Sequence, residues 1–248
     1  MLEHRVVLLT GGTRGIGEAA LLALHAGGAH VCFTYARADD RARALCAQLG
    51  ERVYAVRCDL ADHGALPGVV SACIERFGKI DVLVNNAAIF AENPFFGTTY
   101  EAWRAGWEHT FAVNLFGTAD LTWLVLQHMR ERGGGTILNV VSRAAHRGEL
   151  TFADYGASKA ALTNLTKSIA RSCARDGIVA IAVAPGFIET EMAEEELLRR
   201  RDEIEGEIPG RRVGTPAEVA SIIAFFASGG GDYANGATID INGGSYVR

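Results

Sequence analysis

The sequence has no basic run longer than Arg199-Arg200-Arg201, and that run sits among glutamates. With 24 Lys+Arg against 29 Asp+Glu, the formal net charge is −5. This argues against a nucleic-acid binder, which carries a basic face. No Cys-x-x-Cys pair occurs. The five cysteines, Cys32, Cys46, Cys58, Cys73 and Cys173, fit neither a zinc site nor a disulfide framework. They read as reduced, buried thiols of a cytoplasmic protein. The seven histidines never fall at i, i+4, so no metal site is expected. Residues 19–36 carry no formal charge, but His25, Gly27-Gly28 and His30 interrupt them. That stretch reads as helix, turn and strand rather than a membrane span. An apolar strand begins at Val6, and no signal peptide fits before it.

What is present is core material. Hydrophobic residues make up 49% and charged residues 21%, which rules out a disordered chain. A chain of 248 residues fits one α/β domain, since such folds often reach ~250 residues. Glycine, 29 of 248, exceeds the usual ~7% without a collagen period, so tight turns are expected.

Short apolar runs predict strands at 6–10, 30–35, 53–57, 82–85, 136–142, 179–184 and 238–241. Several are apolar throughout, as parallel strands covered on both faces are. Helical patterns lie near 16–27, 39–49, 64–77, 100–132, 155–175 and 215–227. Thr215-Pro216-Ala217-Glu218 is a capping box with proline at the first helical position. Asp176-Gly177 is a helix stop. The alternation predicts a doubly wound parallel α/β sheet of about seven strands with helices on both faces. No internal repeat or low-complexity linker divides it. Segment 187–212, rich in Glu and Arg, leaves the carboxyl end of a strand and reads as a lid over a site, or as a solvated excursion.

Thr10-Gly11-Gly12-Thr13-Arg14-Gly15-Ile16-Gly17 joins the first strand to the first helix. Glycines there let backbone approach a pyrophosphate, and a helix N-terminus favours its charge. Taken alone, the cluster is equally a tight turn; its place in the first βαβ unit favours a dinucleotide. The second strand ends Phe33-Thr34-Tyr35-Ala36-Arg37 with no carboxylate. Arg37 and Arg14 would suit an adenosine 2′-phosphate, pointing to NADP(H) over NAD(H). Both are otherwise surface arginines. Asp39 and Asp40 then read as helix caps, with Asp39 also able to contact a ribose.

Tyr155-Gly156-Ala157-Ser158-Lys159 puts a phenol and an ammonium on one helix face. Six tyrosines and three lysines (Lys79, Lys159, Lys167) in 248 residues meet at this spacing about 0.07 times by chance. A fixed positive charge stabilises phenolate and lowers a tyrosine pKa from ~10. Ser142, thirteen residues upstream, could hold a carbonyl while Tyr155 protonates it.

Together with Asp59, Asn85-Asn86-Ala87, Asn114, Pro185-Gly186 and Thr190, these motifs run in the order of the short-chain dehydrogenase/reductase family. The chain resembles that family over essentially its whole length, and so implies a Rossmann fold. The resemblance implies a proton donor in Tyr155 and a carbonyl-orienting hydroxyl in Ser142. It implies that Lys159 binds the nicotinamide ribose and lowers the tyrosine pKa, and that Asn114 holds a relay water. It places the cofactor against Gly11, Thr13, Arg14, Gly15, Ile16, Gly17 and Arg37. Asp59 and Leu60 would meet its adenine, and Asn86, Ala87, Ala88, Pro185, Gly186, Ile188 and Thr190 its remaining length. Ala88 stands where the family usually has glycine. Singly, Asn114, Ser142 and Asp59 also read as groups that satisfy or cap nearby backbone.

Phe187-Ile188-Glu189-Thr190, Arg212 to Ala220 and the closing Asn242-Gly243-Gly244 are similar to 3-oxoacyl-[acyl-carrier-protein] reductases. That implies reduction of a ketone or 3-oxoacyl carbonyl, free or carrier-bound, by a homotetramer. The alternatives are an NAD(P)-dependent alcohol or sugar dehydrogenase and, from another class, a dinucleotide sensor without turnover. The presence of both Tyr155 and Lys159 speaks against the sensor. Phe90, Phe95, Phe96, His146, Leu150 and Phe187 predict a largely apolar pocket. Such a pocket suits an acyl thioester, a steroid, a quinone or a cyclic ketone alike.

Overall fold

The computed structural model describes residues 2–247. Seven strands form one parallel sheet: β1 (Val6–Leu9), β2 (His30–Tyr35), β3 (Val53–Arg57), β4 (Val82–Asn85), β5 (Gly135–Val140), β6 (Ile178–Pro185) and β7 (Thr238–Ile241). Their order is β3-β2-β1-β4-β5-β6-β7. The winding reverses between β1 and β4, and ligands bind outside the carboxyl ends of strands at such a switch point.

The strand period of two divides β1 between two cores. Val7 and Leu9 pack on one face with Leu21 and Leu24 of helix α1 (Gly15–Ala26). Val219 and Ile223 of helix α9 (Pro216–Ala227) join them. Val6 and Leu8 pack on the other face. Their partners there include Val69 and Cys73 of helix α3 (Leu66–Phe77), and Leu121 and Val125 of helix α5 (Thr118–Glu131). Helix α2 (Asp39–Leu49) flanks β3. The expected doubly wound sheet is thus present, and no helix among the described residues is long and apolar enough to cross a membrane.

Two local expectations need correction. The pattern at 100–132 is not one helix. Helix α4 (Tyr100–Phe111) passes into a π-helical segment, Ala112–Gly117, before α5. A Cβ on Gly117 would lie 2.0 Å from the Leu60 carbonyl oxygen, so the wide turn sits tight on the loop after β3. Asp39 and Asp40 do not cap α2. Ala38 is the N-cap, the Tyr35 hydroxyl donates to Asp39 Oδ1 at 3.2 Å, and Asp40 pairs with Arg43. Segment 187–212 contains a helix. Helix α8 (Glu194–Glu207) breaks helical geometry at Arg200 and packs Leu197 and Ile204 against Ile208 and Val213. The capping box at Thr215 and Glu218 is present.

The one-turn helix α6 (Ala144–Arg147) precedes helix α7 (Ala153–Cys173), which packs against β6. A buried polar ladder ties it to the sheet. Asn85 Nδ2 donates to Asn139 Oδ1 at 2.8 Å and to Thr122 Oγ1 at 2.9 Å. Asn139 Nδ2 donates to Thr166 Oγ1 at 2.8 Å. A ladder of this kind is costly to leave half satisfied. Replacing Asn139 by Ala removes one hydrogen-bond partner from each of Asn85 and Thr166 and should lower unfolding free energy by about 2–3 kcal/mol in urea denaturation. An unchanged midpoint would deny the ladder a structural role.

Candidate active site

A single cleft of about 1350 Å³ opens over the switch point. The glycine turn forms its inner end. Gly11 has φ +72° and lies against Ala87, while a Cβ on Gly17 would fall 1.9 Å from the Gly11 carbonyl oxygen. The turn is therefore folded as tightly as backbone allows, with the start of α1 facing the cleft. The loop after β4 locks it. The Asn86 side-chain amide donates to the Thr10 and Gly11 carbonyls at 3.0 and 3.1 Å. Thr10 Oγ1 accepts the Asn86 and Ala87 N–H groups, each at 3.0 Å. Ala88 lines the cleft without a positive φ, so its backbone does not require glycine.

Every expected cofactor residue lines this cleft, from Gly11, Thr13, Arg14, Gly15, Ile16 and Gly17 through Arg37, Asp59 and Leu60. Asn86, Ala87, Ala88, Pro185, Gly186, Ile188 and Thr190 continue along it. Arg14 and Arg37 are both exposed on the rim. Asp59 also caps its own loop, accepting the Ala61 N–H at 3.0 Å.

Tyr155, Lys159 and Ser142 meet on the floor. Tyr155 and Lys159 lie one turn apart on α7, and Phe90 meets the Tyr155 ring edge-on at 4.9 Å. Phe90 in turn stacks on Phe152 at 3.9 Å. Asp154 fixes the start of the helix: its carboxylate accepts from the Tyr155 N–H at 2.9 Å and the Thr110 hydroxyl at 2.7 Å. Lys159 is buried, and its Nζ donates to the Val140 carbonyl at 2.8 Å. Ser142 Oγ accepts the Ala144 N–H at 3.1 Å, so it caps its turn while hydrogen-bonding Tyr155.

The electrostatics depart from expectation. Burial pushes the Tyr155 phenol up to about 12, assisted by the Glu149 carboxylate and opposed by the Ser142 hydrogen bond. Lys159 Nζ stands 5.7 Å from the ring centroid, and burial lowers its own pKa to about 8. Desolvation dominates in the cleft, and the expected lowering of the tyrosine is absent. Asn114 does not line the cleft. Fully buried in the π segment, its Oδ1 accepts the Ile89 N–H at 2.8 Å and its Nδ2 donates to the Ile89 carbonyl at 3.0 Å. It holds the loop that carries Phe90.

The outer end is apolar in large part, as expected, and carries charged groups as well. Phe90, Leu150 and Phe187 line it, but Phe95 and Phe96 turn outward, 60% and 90% exposed. His146 lies outside the lining and stacks with Tyr246 at 6.2 Å. Ion pairs run among the charged residues. Arg147 meets Glu207 at 3.0 Å, Arg199 meets Glu92 at 3.1 Å, and Arg200 meets Glu196 at 2.9 Å. Nothing in the sequence pattern marks Glu149 or Asp154 as site residues, because a lone carboxylate among 29 acidic residues carries no spacing signal.

Residues 11–246 match the family model described as "Enoyl-(Acyl carrier protein) reductase". The chain is 38% identical over 245 residues to the acetoacetyl-CoA reductase of Rhizobium meliloti (strain 1021), covering 98% of each chain. It is 36% identical over 246 residues to a 3-oxoacyl-[acyl-carrier-protein] reductase of Vibrio cholerae, covering 99% of each. Its structure resembles the crystal structure of a short-chain dehydrogenase/reductase of the glucose/ribitol dehydrogenase type from Brucella melitensis. The TM-score is 0.91 at 35% identity, over 99% of this chain and 98% of that one. The chain therefore belongs to the short-chain dehydrogenase/reductase family, as an oxidoreductase of carbonyl and alcohol groups similar to the 3-oxoacyl-[acyl-carrier-protein] reductases.

Proposed function

We propose that the protein is an NADPH-dependent reductase of a ketone or 3-oxoacyl carbonyl, with Tyr155 as general acid. The observation that carries this is the shared cleft: the glycine turn and the Ser142–Tyr155–Lys159 group open on one space. The turn fits a dinucleotide. Its Gly11 and Gly17 positions exclude side chains, and the start of α1 offers N–H groups to a pyrophosphate. Arg14 and Arg37 on the rim would hold a 2′-phosphate. When bound, the nicotinamide supplies the hydride.

The chain's own residues handle the proton. Ser142 Oγ orients the carbonyl oxygen, and Tyr155 delivers the phenolic proton to it. A phenol pushed up to about 12 enters the reaction protonated at any neutral pH, which suits reduction. Lys159, anchored on Val140, would bind the nicotinamide ribose and ease departure of the phenolic proton. Asn114 would act by fixing the Ile89–Phe90 backbone, with the relay water beside it. Segment 187–212 would serve as the lid, and α8 would close over the substrate. A homotetramer belongs to the same reading: Phe116 and Trp123, 54% and 60% exposed, offer apolar surface on the 112–131 stretch. The cytoplasm is its expected compartment.

A screen of carbonyl compounds, followed by loss of NADPH absorbance, tests the activity. Tyr155→Phe should cut turnover by ~10²–10⁴-fold while NADPH still binds. Retained turnover would remove the tyrosine from the acid role. Arg37→Asp should weaken NADPH binding roughly ten- to a hundredfold and shift preference toward NADH. Unchanged NADPH affinity would overturn the 2′-phosphate assignment.

Lys159 gives a pH test in the ligand-free protein. Its folded pKa of about 8 lies below the free-lysine value of 10.5, so the unfolded chain holds its proton longer. Stability should rise as pH climbs from about 8 toward 10. A charged Lys159 costs the fold on the order of 3 kcal/mol at neutral pH. Lys159→Met should therefore be inactive yet more stable at pH 7, with the alkaline rise removed. Parallel stability curves for the two proteins would contradict this.

A further inference from the structure

Arg143 follows Ser142 directly, and its backbone N–H donates to the Pro185 carbonyl at 2.9 Å. Its side chain is only 4% exposed yet borders the cleft. The guanidinium is poorly matched. Nη1 is buried with no hydrogen-bond partner. Nε comes no nearer than 3.9 Å to Glu149 Oε1, beyond hydrogen-bond reach. Glu149 also stands 3.9 Å from Arg147 Nε, so one carboxylate is divided between two guanidinia and closes on neither. The Phe187 ring, 4.8 Å away, covers one face of Arg143.

The neighbouring arginines differ. Arg147, Arg199 and Arg200 each have a carboxylate within 3.1 Å. In this group Arg143, next to Ser142 in the chain, has the most deeply buried side chain, at 4% exposed, and its nearest carboxylate oxygen lies 3.9 Å away. A guanidinium remains protonated at any working pH, and its planar fork matches a carboxylate. Burying such a charge without a hydrogen-bonded partner is costly, and the cost is relieved when an anion arrives. Burial lowers the Arg143 pKa, in keeping with an incomplete shell.

We propose that Arg143 is a specificity-determining residue that receives a carboxylate of the substrate, making the preferred substrate an oxo acid with its free carboxylate close to the reacting carbonyl. The inference rests on the reading of Ser142 and Tyr155 as the carbonyl site. The carboxylate undergoes no chemistry. Hydride adds to the carbonyl carbon, the phenolic proton goes to its oxygen, and the dinucleotide is oxidised as the ketone is reduced. A neutral thioester or ester would leave the guanidinium unmatched.

The test compares acetoacetate with methyl acetoacetate, and levulinate with methyl levulinate, on the wild-type protein with NADPH. Binding of malonate, a dicarboxylate with no ketone to reduce, is measured alongside. The acids should exceed their esters in kcat/KM by roughly ten- to a hundredfold, carried by KM. Malonate should inhibit competitively. Arg143→Gln should bring the acid-to-ester ratio toward one and abolish malonate binding, while Arg143→Lys keeps part of both. The wild-type comparison stands even where a variant fails to fold. Esters used as well as acids, with no malonate binding, would overturn the inference and leave the reductase reading intact. Saturable malonate binding lost in Arg143→Gln, without turnover of any ketone, would uphold the anion site and overturn the reductase reading.

Discussion

The hydrogen bond from Lys159 Nζ to the Val140 carbonyl joins the centre of α7 to the carboxyl end of β5. It sets the depth at which Tyr155 sits and so the floor of the cleft. The bond is made by a buried ammonium, and burial disfavours the charge it uses. A neutral apolar residue would fill the same space at less cost to the fold. Stability and the proposed chemistry therefore pull against each other at this position. Around it the structure is over-determined: Asp154 fixes the helix start, and Asn139 and Thr166 fix its middle to the sheet.

The same economy governs the other half of the site. A turn that admits no side chain at Gly11 or Gly17 has few internal means of holding its shape. Its rigidity is borrowed from β4 through Asn86 and Thr10. Residues assigned to a cofactor cradle thus also carry much of its local architecture. Asn114 works alike, using both ends of its amide on the Ile89 backbone.

Much of this was legible in the sequence. Fully buried parallel strands leave continuous apolar runs such as Val6-Val7-Leu8-Leu9, and a Tyr–Lys pair is conspicuous in a chain with three lysines. The π segment was not, because one added residue per turn hardly changes an apolar pattern. Phe95 and Phe96 misled because an aromatic after a strand has no obligation to face the cleft. The charged outer wall was hidden by distance along the chain. Arg147 and Glu207 are 60 residues apart, Arg199 and Glu92 107 apart, and no local spacing announces such pairs. Glu149 acquires its influence on Tyr155 only from burial.

The two walls of the cleft are held by unlike means. On the inner side, backbone amides and carbonyls clasp one another across β1 and β4. On the outer side, α8 is tethered to its neighbours by the Arg147–Glu207 and Arg199–Glu92 pairs, whose side chains are partly in water. Each such pair is worth about 0–1 kcal/mol. Breathing of the molecule must therefore fall on the outer wall, where ionic strength weakens the tethers, while the nucleotide side stays fixed.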